Sequence, residues 1–194
     1  YALRPFVREV AENIEGRCVK CYEMRLFETA KTAKENGALI SYDPNYRASL
    51  WSDEATAIER MLEPLTMVDV LKVSDEELPL LTGTEDLEAG SKILADKGIA
   101  LVLVTLGANG AYYRFKGCTG HVPGMKVKVG DTNGAGDTFF GATLAQLAQF
   151  DTLDAITTEE LEQILTVSNK AAGITTSRHG AIPAMPTKEE VFAV

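Results

Sequence analysis

The glycine-rich segment from Gly130 to Ala142 combines residue types that together could transfer a phosphoryl group. Gly134 and Gly136 allow consecutive backbone N–H groups to turn toward one point at the start of a helix, where amide donors and the helix dipole favour phosphate. Asp137 stands beside them, although a carboxylate would repel a phosphate held there. Its position is explained if Asp137 accepts the proton of an attacking hydroxyl beside the transferring group. The alternative is that Asp137 only caps its helix and the glycines only turn.

Two other segments place small or polar residues directly after apolar runs. Thr105 to Gly110 follows a central strand, which is where open α/β sheets bind ligands, although a tight connection between strands explains the same residues. Ser74 and Glu77 have the spacing of a capping box, which accounts for both without any ligand. Arg47 offers the fixed, bidentate donors that suit phosphate or sugar hydroxyls, and its alternative role is a pairing with Asp43.

The elements that must position these residues follow from hydrophobic periodicity and from helix start and stop signals. Helices are predicted at Tyr22–Asn36 with a stop at Gly37, after an N-cap at Ser52, after Ser74, and at Asp86–Lys97, Asp137–Gln149 and about Glu159–Ile174. Strands are predicted at Ala38–Tyr42, Val68–Lys72, Ala100–Thr105, Ala111–Phe115 and Val122–Val129. Strands that alternate with such helices predict crossover units and a parallel sheet covered on both faces.

Composition excludes several classes of protein. The chain has 194 residues, of which 45% are hydrophobic, so a disordered chain is excluded, and its 16 Gly and 7 Pro are too few for a fibrous chain. Its 19 Lys and Arg against 28 Asp and Glu give a net charge of −9, which argues against nucleic acid as a partner. The longest apolar run, Ile99 to Leu106, is too short for a membrane span. Three cysteines indicate a reducing, cytoplasmic setting, and a first residue other than Met suggests a piece of a longer protein.

The segment Asp131 to Ala142 resembles the second signature of the ribokinase-like (PfkB-type) sugar kinases, D-T-x-G-A-G-D followed by small and aromatic residues. The resemblance extends over residues 37–194 and implies a three-layer α/β/α fold with a mainly parallel sheet. It implies a sugar kinase that uses ATP and Mg²⁺, with Asp137 as the base and the amides of Gly134, Ala135 and Gly136 as the anion hole.

Other segments match further family elements, and the resemblance implies a role for each of them. Thr105, Gly107 and Gly110 match the T-L-G-x-x-G turn near the nucleotide phosphates, while Asn169 and Gly180 match the adenine side, within a stretch that runs to Thr187. The family's N-x-x-E element corresponds to Ser74 and Glu77, on the side of phosphate and Mg²⁺.

The same resemblance implies a monovalent cation, K⁺, and a branch of the family. The cation site maps to Asp131 with backbone from Asn133, Thr175 and Gly180, and Ala184 stands where some members carry a hydroxyl. D-x-N-x-R followed by L-W, which includes Arg47, is typical of the fructokinase and 2-keto-3-deoxygluconate kinase branch.

Residues 1–36 do not resemble the kinase. The run R-C-x-x-C-Y-x-x-R-L, which begins at Arg17, resembles a segment of the epoxyqueuosine reductases, in which such cysteines help to ligate an iron–sulfur cluster. Cys18 and Cys21 alone are two thiolates short of the usual four ligands, and two ordinary thiols explain them equally. The family's lid and sugar-binding signature are missing, so the sequence predicts a fusion or fragment with a boundary between residues 36 and 37.

Three functions remain open at this point. The first is an ATP-dependent sugar kinase with fructose as the expected acceptor. The second is a nucleotide-binding fragment without catalysis, because the sugar site is not encoded. The third is a metal-binding redox protein that uses Cys18 and Cys21.

Overall fold

A computed structural model describes residues 19–192 and the side chains of residues 27–192, in two compact units, Tyr1–Ile40 and Ser41–Val194. The described part of the first unit contains helix α1 (Val19–Glu35). The helix ends in a Schellman motif, because Gly37 has φ +82° and the N–H of Ala38 reaches back to Ala33 O at 3.0 Å. The stop predicted at Gly37 is confirmed.

The two cysteines singled out by the sequence have no structural test. Cys18 lies outside the described residues, and Cys21 lies on α1 with a side chain outside the described set. The iron–sulfur interpretation and the domain boundary after residue 36 therefore stay predictions.

The second unit is an α/β layer structure. Its strands are β1 (Ser41–Tyr42), β2 (Val70–Ser74), β3 (Leu101–Thr105), β4 (Ala111–Phe115) and β5 (Cys118–Val122). Its helices are α2 (Glu54–Leu62), α3 (Glu77–Thr82), α4 (Leu87–Ala95), α5 (Ala135–Leu147), α6 (Thr158–Thr176) and α7 (Lys188–Phe192). None of the helices within residues 19–192 has the length and apolar character that a membrane crossing requires.

The sheet has the order β1-β2-β3-β4-β5 and is mixed. Strands β1, β2 and β3 pair in parallel, β4 runs antiparallel to β3, and β5 runs antiparallel to β4. Four of the five strands therefore point in one direction, which confirms the prediction of a mainly parallel sheet. Because Ser74 is in register with Thr105, β2 and β3 end at the same edge.

Helices cover both faces of this sheet. Leu101 and Leu103 on one face belong to a buried cluster with Phe139 of α5 and Leu165 of α6. Val102 and the other alternating side chains of β3 are also fully buried, on the face where α4 contacts β3 and α3 contacts β2. Burial of each such side chain contributes about 1.5–3 kcal/mol, so the strands are held from both sides. The predicted three layers are confirmed.

Two boundary predictions are wrong for local reasons. The N-cap of α2 is Asp53 rather than Ser52, because the Asp53 carboxylate accepts from Thr56 N at 2.8 Å and Ser52 donates to that same carboxylate. Helix α5 begins at Ala135, two residues before the predicted start at Asp137.

The strand predicted at residues 122–129 is also wrong, because the last strand ends at Val122. Pro123 has no N–H to donate to a sheet. The carbonyls of Val122 and Pro123 accept instead from the side-chain amide of Asn169, at 3.0 and 3.1 Å. The predicted first strand at residues 38–42 is likewise shorter, since β1 contains only Ser41–Tyr42.

Candidate active site

The candidate site begins at the carboxyl edge of the parallel strands. Ser74 ends β2 beside Thr105, which ends β3, and the Thr105 hydroxyl donates to Val73 O at 3.3 Å. The N–H of Asp75 donates to Thr105 O at 3.0 Å, which holds the two strand ends together. The structure thus brings the predicted residues Ser74 and Thr105 together at the edge where open α/β sheets bind ligands.

The predicted T-L-G-x-x-G turn forms a short 3₁₀ turn at Gly107–Asn109 between β3 and antiparallel β4. Gly110 has φ +91°, and a Cβ there would lie 2.2 Å from Val122 O, so only glycine fits. The tight-connection interpretation is therefore correct as geometry. Residues 107–109 are exposed, so the turn is also accessible to a ligand.

The glycine-rich loop ends in free amide donors at the start of α5. Gly134 is the N-cap with φ +78°, it supplies no side-chain cap, and its carbonyl accepts from Thr138 N at 2.9 Å. Within the described residues, the N–H groups of Gly134, Gly136 and Asp137 have no hydrogen-bond partner, while Ala135 N makes a long contact of 3.4 Å. Unpaired N–H groups at a helix N-terminus have the geometry that favours an anion, and the anion hole expected at Gly134–Gly136 stays a prediction.

Asp137 is exposed in the first turn of α5. Its carboxylate makes no hydrogen bond to the part of the chain that the structure describes, so the helix-capping alternative is not realised. Asp137 instead borders a groove of about 380 Å³ between α5, α6 and α7. An accessible carboxylate beside free amide donors is the arrangement that base catalysis of phosphoryl transfer requires.

Asp131 connects the start of this loop to the segment after α6. Its two carboxylate oxygens accept from the N–H of Asn133 at 3.0 Å and of Gly180 at 3.1 Å, and these hydrogen bonds lower the pKa of Asp131. The structure therefore brings together three of the four residues expected at a cation site. The carbonyl of the fourth, Thr175, accepts from Arg178 N at 3.1 Å.

Glu77 is buried, and both of its oxygens are used by the backbone. Ser74 N donates to Oε2 at 2.7 Å, Tyr46 N donates to Oε1 at 2.7 Å, and Glu77 N donates to the Ser74 hydroxyl at 3.1 Å. The reciprocal pair is the predicted capping box, although the helix itself begins at Glu77. Glu77 as a magnesium residue stays a prediction, and the described side chains include no cluster of three His, Cys, Asp or Glu able to hold a metal.

Arg47 does not make the ion pair that was its alternative. Its side chain is exposed, and Nη1 donates to Tyr46 O at 2.9 Å. The carboxylate of Asp43 pairs instead with Lys72, whose Nζ lies 3.0 Å from Oδ2. The side chain of Arg47 is thus accessible to solvent, and its phosphate or sugar role stays a prediction.

Lys72 is the residue that sequence reasoning missed. Its side chain is only 7% exposed, and it lies between the buried apolar residues Leu71 and Val73 of strand β2. A Cβ added to Gly136 would lie 3.3 Å from Lys72 Nζ, so the ammonium group lies beside the candidate anion site. A charged residue inside a run of apolar strand residues was the available signal, because a lysine is buried only when it has a partner.

Asp43 is the partner of Lys72, and its own environment is unusual. Burial raises the pKa of Asp43, and the neighbouring Lys72 ammonium opposes that shift. Burial next to the carboxylates of Asp43 and Glu77 also raises the pKa of Tyr42 to about 12. Asp43, Glu77 and Lys72 therefore form a largely buried cluster of ionisable side chains at the end of β1. The Lys72 ammonium group connects this cluster to Gly136 of the glycine-rich loop.

Asn169 lies on α6 and is buried. Its side-chain amide donates to the carbonyls of Val122 and Pro123, so it anchors the segment against which Gly110 packs. Gly180, the other predicted adenine residue, has φ +90° and donates to Asp131. The two residues thus have separate partners in the structure, and their adenine role stays a prediction.

Comparisons with known sequences identify the family of this chain and several of its relatives. A family model described as pfkB family carbohydrate kinase matches residues 13–188. The chain is 41% identical over 165 residues to a probable fructokinase-4 of Arabidopsis thaliana, a match that covers 83% of this chain and 49% of that protein. A fructokinase of Solanum tuberosum is 42% identical over 167 residues, covering 84% of this chain and 48% of that protein. The chain thus spans about half the length of these relatives.

Solved structures give the same result. A fructokinase double mutant from Vibrio cholerae O395, in a fructose-, ADP- and potassium-bound form, matches with a TM-score of 0.80 and 33% identity over 87% of this chain and 54% of that chain. A fructokinase with bound ATP from Xylella fastidiosa matches with a TM-score of 0.80 and 32% identity over 88% and 56%. The family match begins at residue 13, inside the segment for which a different ancestry was predicted, and the reductase resemblance is not confirmed.

Proposed function

Because the chain belongs to the pfkB family of carbohydrate kinases and has the ribokinase-like fold, we propose that it carries the phosphoryl-transfer side of an ATP-dependent sugar kinase. Fructose is the proposed acceptor, since the relatives that the chain resembles are named fructokinases. The observation that carries the proposal is the exposed, unpaired Asp137 carboxylate next to the free amides at the start of α5.

In the proposed reaction, α5 supplies both the base and the anion site. The N–H groups of Gly134, Gly136 and Asp137 donate to oxygens of the transferring phosphoryl group, and the helix dipole favours the negative charge there. The Asp137 carboxylate accepts the proton of the attacking sugar hydroxyl as the new oxygen–phosphorus bond forms, and the bond from the γ-phosphorus to the bridging oxygen breaks, so that ADP leaves. The two roles need the same helix turn, which explains why a carboxylate stands next to an anion site.

Cations around this turn would offset the charge of the phosphates. The Lys72 ammonium has three donors, of which Asp43 takes one, and it lies beside Gly136. Arg47 is exposed and follows Asp43 closely in the sequence. Its guanidinium group would help to position phosphate or sugar. Thr105, Ser74 and the exposed residues 107–109 of the turn form the edge along which the nucleotide would lie, with Asn169 and Gly180 on the adenine side.

We propose Mg²⁺ as part of the nucleotide substrate, because Glu77 already accepts two backbone hydrogen bonds and does not fit as a direct ligand. Magnesium bound to ATP neutralises phosphate charge. Potassium is proposed beside Asp131, whose carboxylate is held between Asn133 and Gly180. A cytoplasmic location is proposed from the cysteine content, although one relative is named chloroplastic.

The test uses the full chain and its Asp137→Asn variant, with Asp151→Asn as a matched control on an exposed loop. ATP binding is measured by calorimetry, and ADP formation is measured with fructose and with other sugars. We expect Asp137→Asn to abolish ADP formation and to spare ATP affinity, since a base acts in the transition state and not in ground-state binding.

Each other result contradicts a defined part of the proposal. No ATP binding by the wild-type chain at millimolar concentration would refute nucleotide binding. ATP binding without turnover of any sugar would refute the kinase and leave a nucleotide-binding module. Equal loss of ATP binding in Asp137→Asn would favour the structural role of this residue.

A further inference from the structure

We propose that Thr138 is a positioning residue, whose hydroxyl bond to Thr175 fixes the first turn of α5 and thereby aims the free N–H groups that would hold phosphate. The inference rests on the proposed function, because it concerns the same anion site. It adds a buried residue whose proposed effect is transmitted through the backbone of its neighbours.

The hydrogen bond between the two hydroxyls has a defined direction. Thr138 Oγ1 and Thr175 Oγ1 lie 3.0 Å apart, and both residues are buried. Thr175 Oγ1 also lies 3.3 Å from Ala171 O, a carbonyl that can only accept. A hydroxyl has one proton, so Thr175 donates to Ala171 and Thr138 donates to Thr175. The pair is therefore satisfied, and it ties the start of α5 to the last turn of α6.

The other end of the glycine-rich loop is tied to the same helix turn. The N–H groups of Gly130 and Asp131 donate to Thr176 O at 2.8 and 3.1 Å. The start of the loop is therefore hydrogen-bonded to Thr176 at the end of α6, and the helix turn that follows the loop is hydrogen-bonded to the neighbouring Thr175. The free amides of Gly136 and Asp137 immediately precede Thr138 in the chain, so their direction depends on how that residue is held.

A second hydroxyl pair joins the same two helices farther from the anion site and offers a matched control. Thr143 Oγ1 lies 2.9 Å from Ser168 Oγ, and both residues are fully buried. Thr143 is five residues beyond Thr138, which is about 7.5 Å along the helix axis. A variant there removes the same chemistry from the same interface without touching the first turn.

The experiment compares Thr138→Val, Thr138→Ser and Thr143→Val in the full chain. Calorimetry gives the affinities for ATP, for adenosine and for tripolyphosphate, and thermal unfolding gives stability. We expect Thr138→Val to weaken ATP and tripolyphosphate about tenfold, the size of effect typical of losing one well-aligned hydrogen bond to a charged group, and to leave adenosine within about twofold. Thr138→Ser keeps the hydroxyl and should restore both affinities.

Thr143→Val should lower the unfolding temperature and leave the ratio of ATP to adenosine affinity unchanged. If Thr138→Val does not fold, the double variant with Thr175→Val removes both hydroxyls and leaves no unpaired partner, and the same ratio is measured. An unchanged ratio in Thr138→Val, or an equal shift in Thr143→Val, would overturn this inference alone. A wild-type chain that binds neither ATP nor tripolyphosphate would overturn the proposed function and the inference together.

Discussion

Replacing Lys72 with Met tests whether the ion pair behind the glycine-rich loop holds the second unit together. The Lys72 and Asp43 side chains are only 7% and 15% exposed, and Nζ and Oδ2 lie 3.0 Å apart. Methionine fills most of the space of the lysine stem on β2 and removes only the ammonium group. Asp43 would then keep one hydrogen bond, from Asn45 N at 3.1 Å, and would lose its only described cation.

The expected loss of unfolding free energy follows from this burial. Removing one partner of a buried pair costs about 3–5 kcal/mol, because the other charge remains desolvated. The slight exposure of Asp43 and its bond from Asn45 place the expected cost near the lower limit, at about 3 kcal/mol. The double variant Lys72→Met, Asp43→Asn removes both charges, so it should recover most of this loss.

The pH dependence of the loss has a definite sign. Burial raises the pKa of Asp43 above 3.8, and Lys72 is the main group that opposes the shift, so its removal raises the pKa further. The folded variant then binds a proton that the unfolded chain has lost, and its stability falls as pH rises from 3.8 through the raised pKa. The deficit relative to wild type should therefore be largest at neutral pH and smaller in acid.

Urea unfolding followed by circular dichroism and by the fluorescence of the single tryptophan, Trp51, measures these quantities at several pH values. Lys92→Met is the control, because the pair of Lys92 with Asp96 is exposed and should contribute less than about 1 kcal/mol. A deficit below about 1 kcal/mol for Lys72→Met at neutral pH would refute the reasoning. So would a double variant no more stable than the single one.

The remaining predictions concern the two carboxylates expected at metal sites. Glu77→Gln should lower the unfolding free energy by about 1–3 kcal/mol in urea, because an amide nitrogen would face the N–H of Tyr46 or Ser74. Lost ATP affinity with unchanged stability would contradict this structural role. Asp131 has a lowered pKa in the fold, so its stabilisation is present above its unfolded pKa and disappears as pH falls through the folded pKa. In Asp131→Asn the free energy of unfolding should therefore depend less on pH below 3.8 than it does in the wild-type chain, and an unchanged pH dependence would contradict the assignment.

Local patterns were sufficient to predict much of this protein. The glycine-rich loop before Asp137, the stop at Gly37 and the capping box of Ser74 with Glu77 each depend on residues within a few positions of one another. Helix signals and anion sites at helix starts are properties of such short segments. The three-layer arrangement could be predicted as well, because apolar strands and amphipathic helices alternate along the chain and each is recognised from a short segment.

Only the tertiary structure decided which distant residues meet. Lys72 with Asp43, Glu77 with Tyr46, and Thr138 with Thr175 are separated by 29, 31 and 37 positions, and no local pattern specifies such partners. The end of β5 at Val122 was also decided at this level, because its carbonyl is satisfied by a side chain on α6 rather than by a neighbouring strand. A buried polar group must find a partner, but which group lies within reach depends on how helices and sheet pack.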